Sequence, residues 1–325
     1  MKEFIKLFSL VLIIVSTLFS QRNYSFGWHY ESIEVDKLER HFRIFIPREL
    51  QNETPLVLIF HTSNSGMENV FNTGDGFNEW ANLAEREKFI LVIPNGVNPI
   101  NGDAFGTNQK WNDCRKSNIE PEQLPHTDDV GFIRELINWS IENLKINEKQ
   151  IYAAGIGNGG MMVYRLAIEL GDVLSGAAVF FANLPVDSEC TQPVKSLPIF
   201  IMNSTDDPFV PFDGGMITGE RGSVLSAEET LNFWVNLNDL HPLKRTNKYH
   251  EDVNPDDNSR VIKNEFNRPL ANPPVVFYVI TNSGHVVPSV KYGLLSSHQK
   301  ELLGNQNRDI EGVVEAWKFL RRFSK

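Results

Sequence analysis

Seven short runs of apolar and β-branched residues punctuate the chain, at 42–46, 56–60, 89–93, 150–154, 177–181, 199–203 and 275–280. Between several of them lie stretches long enough for a helix, at 78–88, 130–144, 159–170 and 227–238. A run that is apolar on both faces is unsuited to a solvent boundary and predicts a strand buried between two layers. Such strands alternating with helices imply an α/β fold: a mostly parallel sheet covered on both sides, with right-handed crossovers.

Capping chemistry supports the helices. Ser226 stands three residues before Glu229, the spacing at which each side chain satisfies the other's backbone N–H. Asp128 is placed to cap the helix opening at Asp129 and Val130, where acidic side chains are favoured by capping and dipole rather than by chemistry. Asn307 is read as the start of the last helix, whose Ile310, Val313, Val314, Trp317 and Leu320 recur at helical spacing and should face the sheet. Segments 95–125 and 241–274 are rich in Asn, Asp, Pro and Gly and read as loops. With no internal repeat or linker in view, 21–325 reads as a single domain.

The longest apolar run, 7–19, is 13 residues, short of the roughly 20 that span a bilayer. It follows Lys2 and Lys6 and ends in small and polar residues at 17–21, so 1–20 reads as a secretory signal peptide and the protein as secreted, with no membrane span. The formal charge of −10 repels phosphate backbones and argues against a nucleic-acid partner. Cys114 and Cys190 would enter an oxidising compartment, where such a pair tends to form a disulfide; two separate buried thiols is the alternative. Without CxxC, HExxH or zinc-type His/Cys spacing, neither a metal nor a cofactor is expected.

In an open α/β sheet, reactive groups collect on loops at the carboxyl ends of strands. Four such loops carry polar chemistry: His61-Thr62-Ser63-Asn64-Ser65-Gly66, Gly155-Ile156-Gly157-Asn158-Gly159-Gly160, Ser204-Thr205-Asp206-Asp207-Pro208 and Asn282-Ser283-Gly284-His285. A tight strand-to-helix turn, then an acid, then a histidine is the chain order of the α/β-hydrolase triad.

From about Arg43 onward the chain resembles the secreted poly(3-hydroxybutyrate) depolymerase and feruloyl-esterase-like branch of the α/β-hydrolases. The resemblance is carried by Pro55-Leu56-Val57 leading to His61, Ile93-Pro94-Asn95-Gly96, Trp111-Asn112, Asp128-Asp129-Val130-Gly131-Phe132, Tyr152 through Met162, Asp207-Pro208, and Gly284-His285 with Pro288. It implies a mostly parallel sheet of about eight strands. It also implies that Asp207 orients the imidazole, that His285 is the general base and then acid, and that the backbone N–H groups of Asn158 and Ser63 form the oxyanion hole. The nucleophile position of this pattern is Gly157, which has no oxygen to attack a carbonyl. A second departure is Thr62, where the pattern has Gly.

Loss of the nucleophile from such a triad removes on the order of a million-fold in turnover. The chain therefore reads as a pseudo-esterase that keeps a cleft for an ester-bearing small molecule, a polysaccharide or a polyester. The enzyme alternative is a slow or substrate-restricted ester hydrolase in which His285 activates water; Ser63 as a substitute nucleophile is a further variant. His61 reads as a structural residue bonded to loop backbone. Trp111 either stacks on a sugar or aromatic ring in the cleft or packs in the interior.

Overall fold

The computed structural model describes residues 24–325 apart from 52, 72–75, 117–126, 194, 220–221, 242–246, 269–271 and 294–295. The segment read as a signal peptide, 1–20, lies outside the described residues, as does part of the loop expected at 95–125. Each of the seven apolar runs falls in a strand to within one residue at the run's ends. In chain order the elements are β1 (Gly27–Val35), β2 (Leu38–Ile46), β3 (Thr54–Phe60), α1 (Glu79–Glu87), β4 (Ile90–Pro94), α2 (Asp129–Asn143), β5 (Ile146–Ile156), α3 (Asn158–Glu169), β6 (Gly176–Phe180) and β7 (Ile199–Ser204). There follow β8 (Gly215–Met216), β9 (Ser223–Val224), α4 (Ala227–Leu237), β10 (Asn247–Tyr249), β11 (Arg260–Arg268), β12 (Asn272–Thr281), α5 (Ser297–Leu303) and α6 (Gly312–Leu320).

The main sheet has ten strands in the order β1-β2-β4-β3-β5-β6-β7-β12-β11-β10, two more than expected. Its six central strands, β4 to β12 in that order, run parallel to one another. The outer strands β1 and β2 on one side and β11 and β10 on the other pair antiparallel. Side chains alternate across the sheet. Leu56, Leu58 and Phe60 of β3 pack with α2, α3 and α4, whereas Val57 and Ile59 pack with α1 and α6. The result is the covered, three-layer α/β arrangement that the apolar runs predict.

Local chemistry sets the helix ends. Ser226 and Glu229 form the expected reciprocal cap of α4, and the Asp128 side chain accepts the Gly131 N–H at the start of α2. Asp129 is buried in an ion pair with Arg40 at 2.7 Å and also accepts the Asn112 N–H, so it is structural. Two expectations are corrected. The last helix begins at Gly312, not at Asn307, because the Asn307 amide is committed to Ser259 Oγ and Asp309. The loop expected over 241–274 contains β10 and β11, and α5 adds a helix with its own capping box, Ser296 with Gln299.

Candidate active site

The carboxyl ends of β3, β5, β7 and β12 bring the four polar loops to one edge of the sheet, where they border a cavity of about 400 Å³. Asp207 follows β7. Its Oδ1 accepts the Phe209 and Val210 N–H groups at 2.8 and 2.9 Å, and its Oδ2 accepts from His285 Nδ1 at 2.7 Å. That bond places the imidazole proton on Nδ1 and leaves Nε2 as the basic nitrogen. His285 is only 8% exposed; its backbone N–H donates to Leu303 O, and its ring lies between Phe181 and Phe209. Thus acid and histidine, 78 residues apart in sequence, form a buried, oriented pair.

Gly157 occupies the turn between β5 and α3 with φ 56° and ψ −124°. This is a conformation that glycine accepts freely and that costs other residues on the order of 1–3 kcal/mol. A Cβ built there would lie 3.2 Å from His285 Nε2. This elbow therefore aims position 157 at the histidine ring, with no side chain on it. The same Cβ position lies 2.6 Å from Thr62 Oγ1, closer than any real Cβ contact. Two residues on, Gly159 lets the start of α3 press against the 60–61 backbone, since a Cβ there would collide with the Phe60 and His61 carbonyl oxygens.

Asn158 and Ser63 both border the cavity. The Asn158 N–H belongs to the first turn of α3, where no intrahelical carbonyl is available. The Asn158 side chain has other work: Oδ1 accepts the Trp111 N–H, and Nδ2 donates to Trp111 O and to Asp113. Asp113 in turn holds Arg115, which also borders the cavity and is 2% exposed. Between them Cys114 is bonded to Cys190, so the disulfide fixes the loop on which the elbow rests. Sequence reading singled out neither Asp113 nor Arg115; opposite charges flanking Cys114 were the available signal.

Trp111 is not a cleft residue. It is 1% exposed, its indole N–H donates to His61 O, and its ring lies 4.9 Å from the His61 ring, so it packs beneath the site. His61 is structural, as expected. Its Nδ1–H donates to Thr62 O, its Nε2 accepts the Gly96 N–H, and burial pushes its pKa down to about 4, which keeps it neutral. Among the described residues, the one group of three ligand-type side chains is Cys114, Glu169 and Cys190. Its sulfurs are already bonded to each other, so the donor set does not suit a metal.

In overall shape the chain matches an acetyl xylan esterase from Aspergillus awamori with a TM-score of 0.52 at 14% identity, over 84% of this chain and 97% of that one. The fold is that of the α/β-hydrolases. No protein-family model matches the chain. By sequence it is similar to the feruloyl esterase B of Piromyces equi, 30% identical over 117 residues, which is 34% of this chain and 22% of that protein. It is also similar to the feruloyl esterase C of Emericella nidulans, 26% identical over 181 residues, 54% of this chain and 58% of that one. These relatives lie in the feruloyl- and acetyl-esterase branch of the superfamily. The chain spans less than two thirds of the length of the curated relatives it matches.

Proposed function

We propose that this α/β-hydrolase-fold protein is an exported ester-binding protein that does not turn over esters by the serine route. The observation that carries the reading is Gly157: the elbow and the His285–Asp207 pair are aligned, and the position facing Nε2 bears no nucleophile. In this reading the carbonyl oxygen of a bound ester accepts from the backbone N–H groups of Asn158 and Ser63. His285 Nε2, oriented by Asp207, accepts from a hydroxyl of the ligand or from water. Phe209, Val210 and Leu302 supply an apolar wall for an acyl or aryl group. Feruloyl or acetyl esters of wall polysaccharide are the ligand class that the similar proteins suggest, with polyester as the broader reading of the sequence pattern. Export rests on the 1–20 segment and on the Cys114–Cys190 bond, which suits an oxidising compartment.

The test is thermal unfolding of the purified protein with methyl ferulate and with acetylated xylan, followed for released ferulate or acetate. A ligand that prefers the folded state raises Tm; the expected result is a rise in Tm without product. The second reading, water activated by His285, is favoured by the oriented imidazole. It predicts slow hydrolysis that disappears in His285→Ala.

A further inference from the structure

The contact between Thr62 and the elbow carries an inference beyond the missing serine. Any side chain at position 157 must begin at a Cβ that sits 2.6 Å from Thr62 Oγ1 and 3.2 Å from His285 Nε2. Neither backbone has room to retreat. The 61–62 segment is held by the His61 ring on Gly96 N–H, by Trp111 Nε1 on His61 O and by the His61 ring on Thr62 O. The elbow is held by Gly157 N–H on Phe180 O and by the close approach of Gly159 to the 60–61 carbonyls. The side-chain coordinate nearest the clash is the Thr62 χ1 torsion. Because threonine carries two heavy atoms on Cβ, one staggered rotamer of three can turn a hydrogen toward position 157.

We infer that Gly157 and Thr62 form one reciprocal seat, in which the Thr62 hydroxyl takes up the place of a nucleophile side chain, so that two residues rather than one keep the cleft silent. This rests on the reading of the site as esterase-type. Serine introduced alone at 157 is pushed off the line to His285 Nε2 or forces Thr62 into its single permissive rotamer. A displacement of about 1 Å at the reacting atom costs on the order of 100-fold.

The test compares the wild type, Gly157→Ser, Thr62→Ala, Thr62→Ala/Gly157→Ser and Thr62→Gly/Gly157→Ser on 4-nitrophenyl acetate and with a fluorophosphonate probe. In labelling, the introduced hydroxyl attacks phosphorus, the P–F bond breaks, fluoride leaves, and the hydroxyl proton passes to His285 Nε2. The double variants are expected to exceed Gly157→Ser in kcat/KM by about 100-fold and to take the label at position 157, while Thr62→Ala alone stays silent. Tm supplies a second readout: Gly157→Ser lowers Tm less in the Thr62→Ala background than in the wild type. The inference is overturned if Gly157→Ser alone matches the double variants in kcat/KM, or if its Tm cost is the same in both backgrounds. Failure of the underlying reading looks different. It would appear as wild-type turnover abolished by His285→Ala, and the ratio of the double variants to Gly157→Ser would still report on the seat.

Discussion

On the histidine side of the cleft, Asp207 accepts two backbone N–H groups and the His285 ring, and His285 is tied through its own N–H to Leu303. On the elbow side, the backbone holds φ 56° at Gly157 and presents no side chain to His285. The difference teaches which side of the cleft is tied down by side-chain hydrogen bonds and which by backbone conformation alone. Asp207 and His285 join the β7 and β12 loops, so removing either leaves buried polar groups without partners, whichever reaction the cleft performs. A nucleophile hydroxyl at the elbow joins nothing. Glycine holds that strained turn freely, where another residue would bear a cost. An acid–histidine pair is therefore weak testimony for turnover, and the proposed reading rests on residue 157 instead.

The largest effect expected from breaking this comparison comes from the disulfide. Replacing both Cys114 and Cys190 by serine frees a 76-residue separation and should cost about 4 kcal/mol in chemical unfolding. The loosening should fall on the elbow side, through Asp113, Arg115 and Asn158. The downfield proton resonance of His285 Nδ1 should persist; its loss would mean that the two sides are not independent. Next comes Asp207→Ala, which orphans the Phe209 and Val210 N–H groups and the imidazole. The expected cost is about 3 kcal/mol in urea unfolding. A cost below about 1 kcal/mol would remove the structural reason offered here for keeping the pair.

Much of this is legible in the amino-acid sequence. Central parallel strands, buried on both faces, show as unbroken apolar runs, and the four reactive loops follow them in triad order. The edges were not readable for the same reason. β1 and β11 are interrupted by polar residues, His29, Glu31 and Glu34 in one and Lys263, Asn264 and Glu265 in the other, so neither shows as an unbroken apolar run. α5 has no buried residue to give it a period, and only the Ser296–Gln299 cap marks it. Trp111 was ambiguous because a loop sequence does not say which way an indole points; three hydrogen bonds to the 111 backbone and ring decide it. The Thr62–Gly157 contact is wholly tertiary, between two loops far apart in sequence, and no local pattern could reveal it.

Gly157→Ala isolates the elbow from its chemistry. The alanine adds no hydroxyl, yet must hold positive φ and meet Thr62, so the expected cost is about 1–3 kcal/mol by thermal unfolding. Gly293, by contrast, has as its three nearest neighbours atoms of the Arg308 guanidinium, the far end of a flexible side chain. Alanine there should be nearly neutral. Equal costs at the two positions would mean that the elbow is not strained.

The smallest effect per unit change concerns His61, which sits below the elbow as His285 stands opposite it. Its pKa is about 4 in the fold because the ring is buried, while an unfolded chain returns it to about 6.5. Between those values the unfolded state binds a proton that the folded state refuses. Stability contributed by neutral His61 is thus fully present above pH 6.5, declines as pH falls at up to about 1.4 kcal/mol per pH unit, and reaches its floor below pH 4. His61→Gln removes this titration. The variant should be less stable near pH 7, where the Gly96 N–H loses its imidazole acceptor, yet show a shallower slope from pH 6.5 to 4. Urea unfolding at half-unit pH steps measures both quantities. An unchanged slope would assign the acid limb to other groups, such as His250, whose pKa burial also lowers. It would also separate the floor of the elbow from any role in pH response, leaving backbone hydrogen bonding as the whole of what His61 contributes.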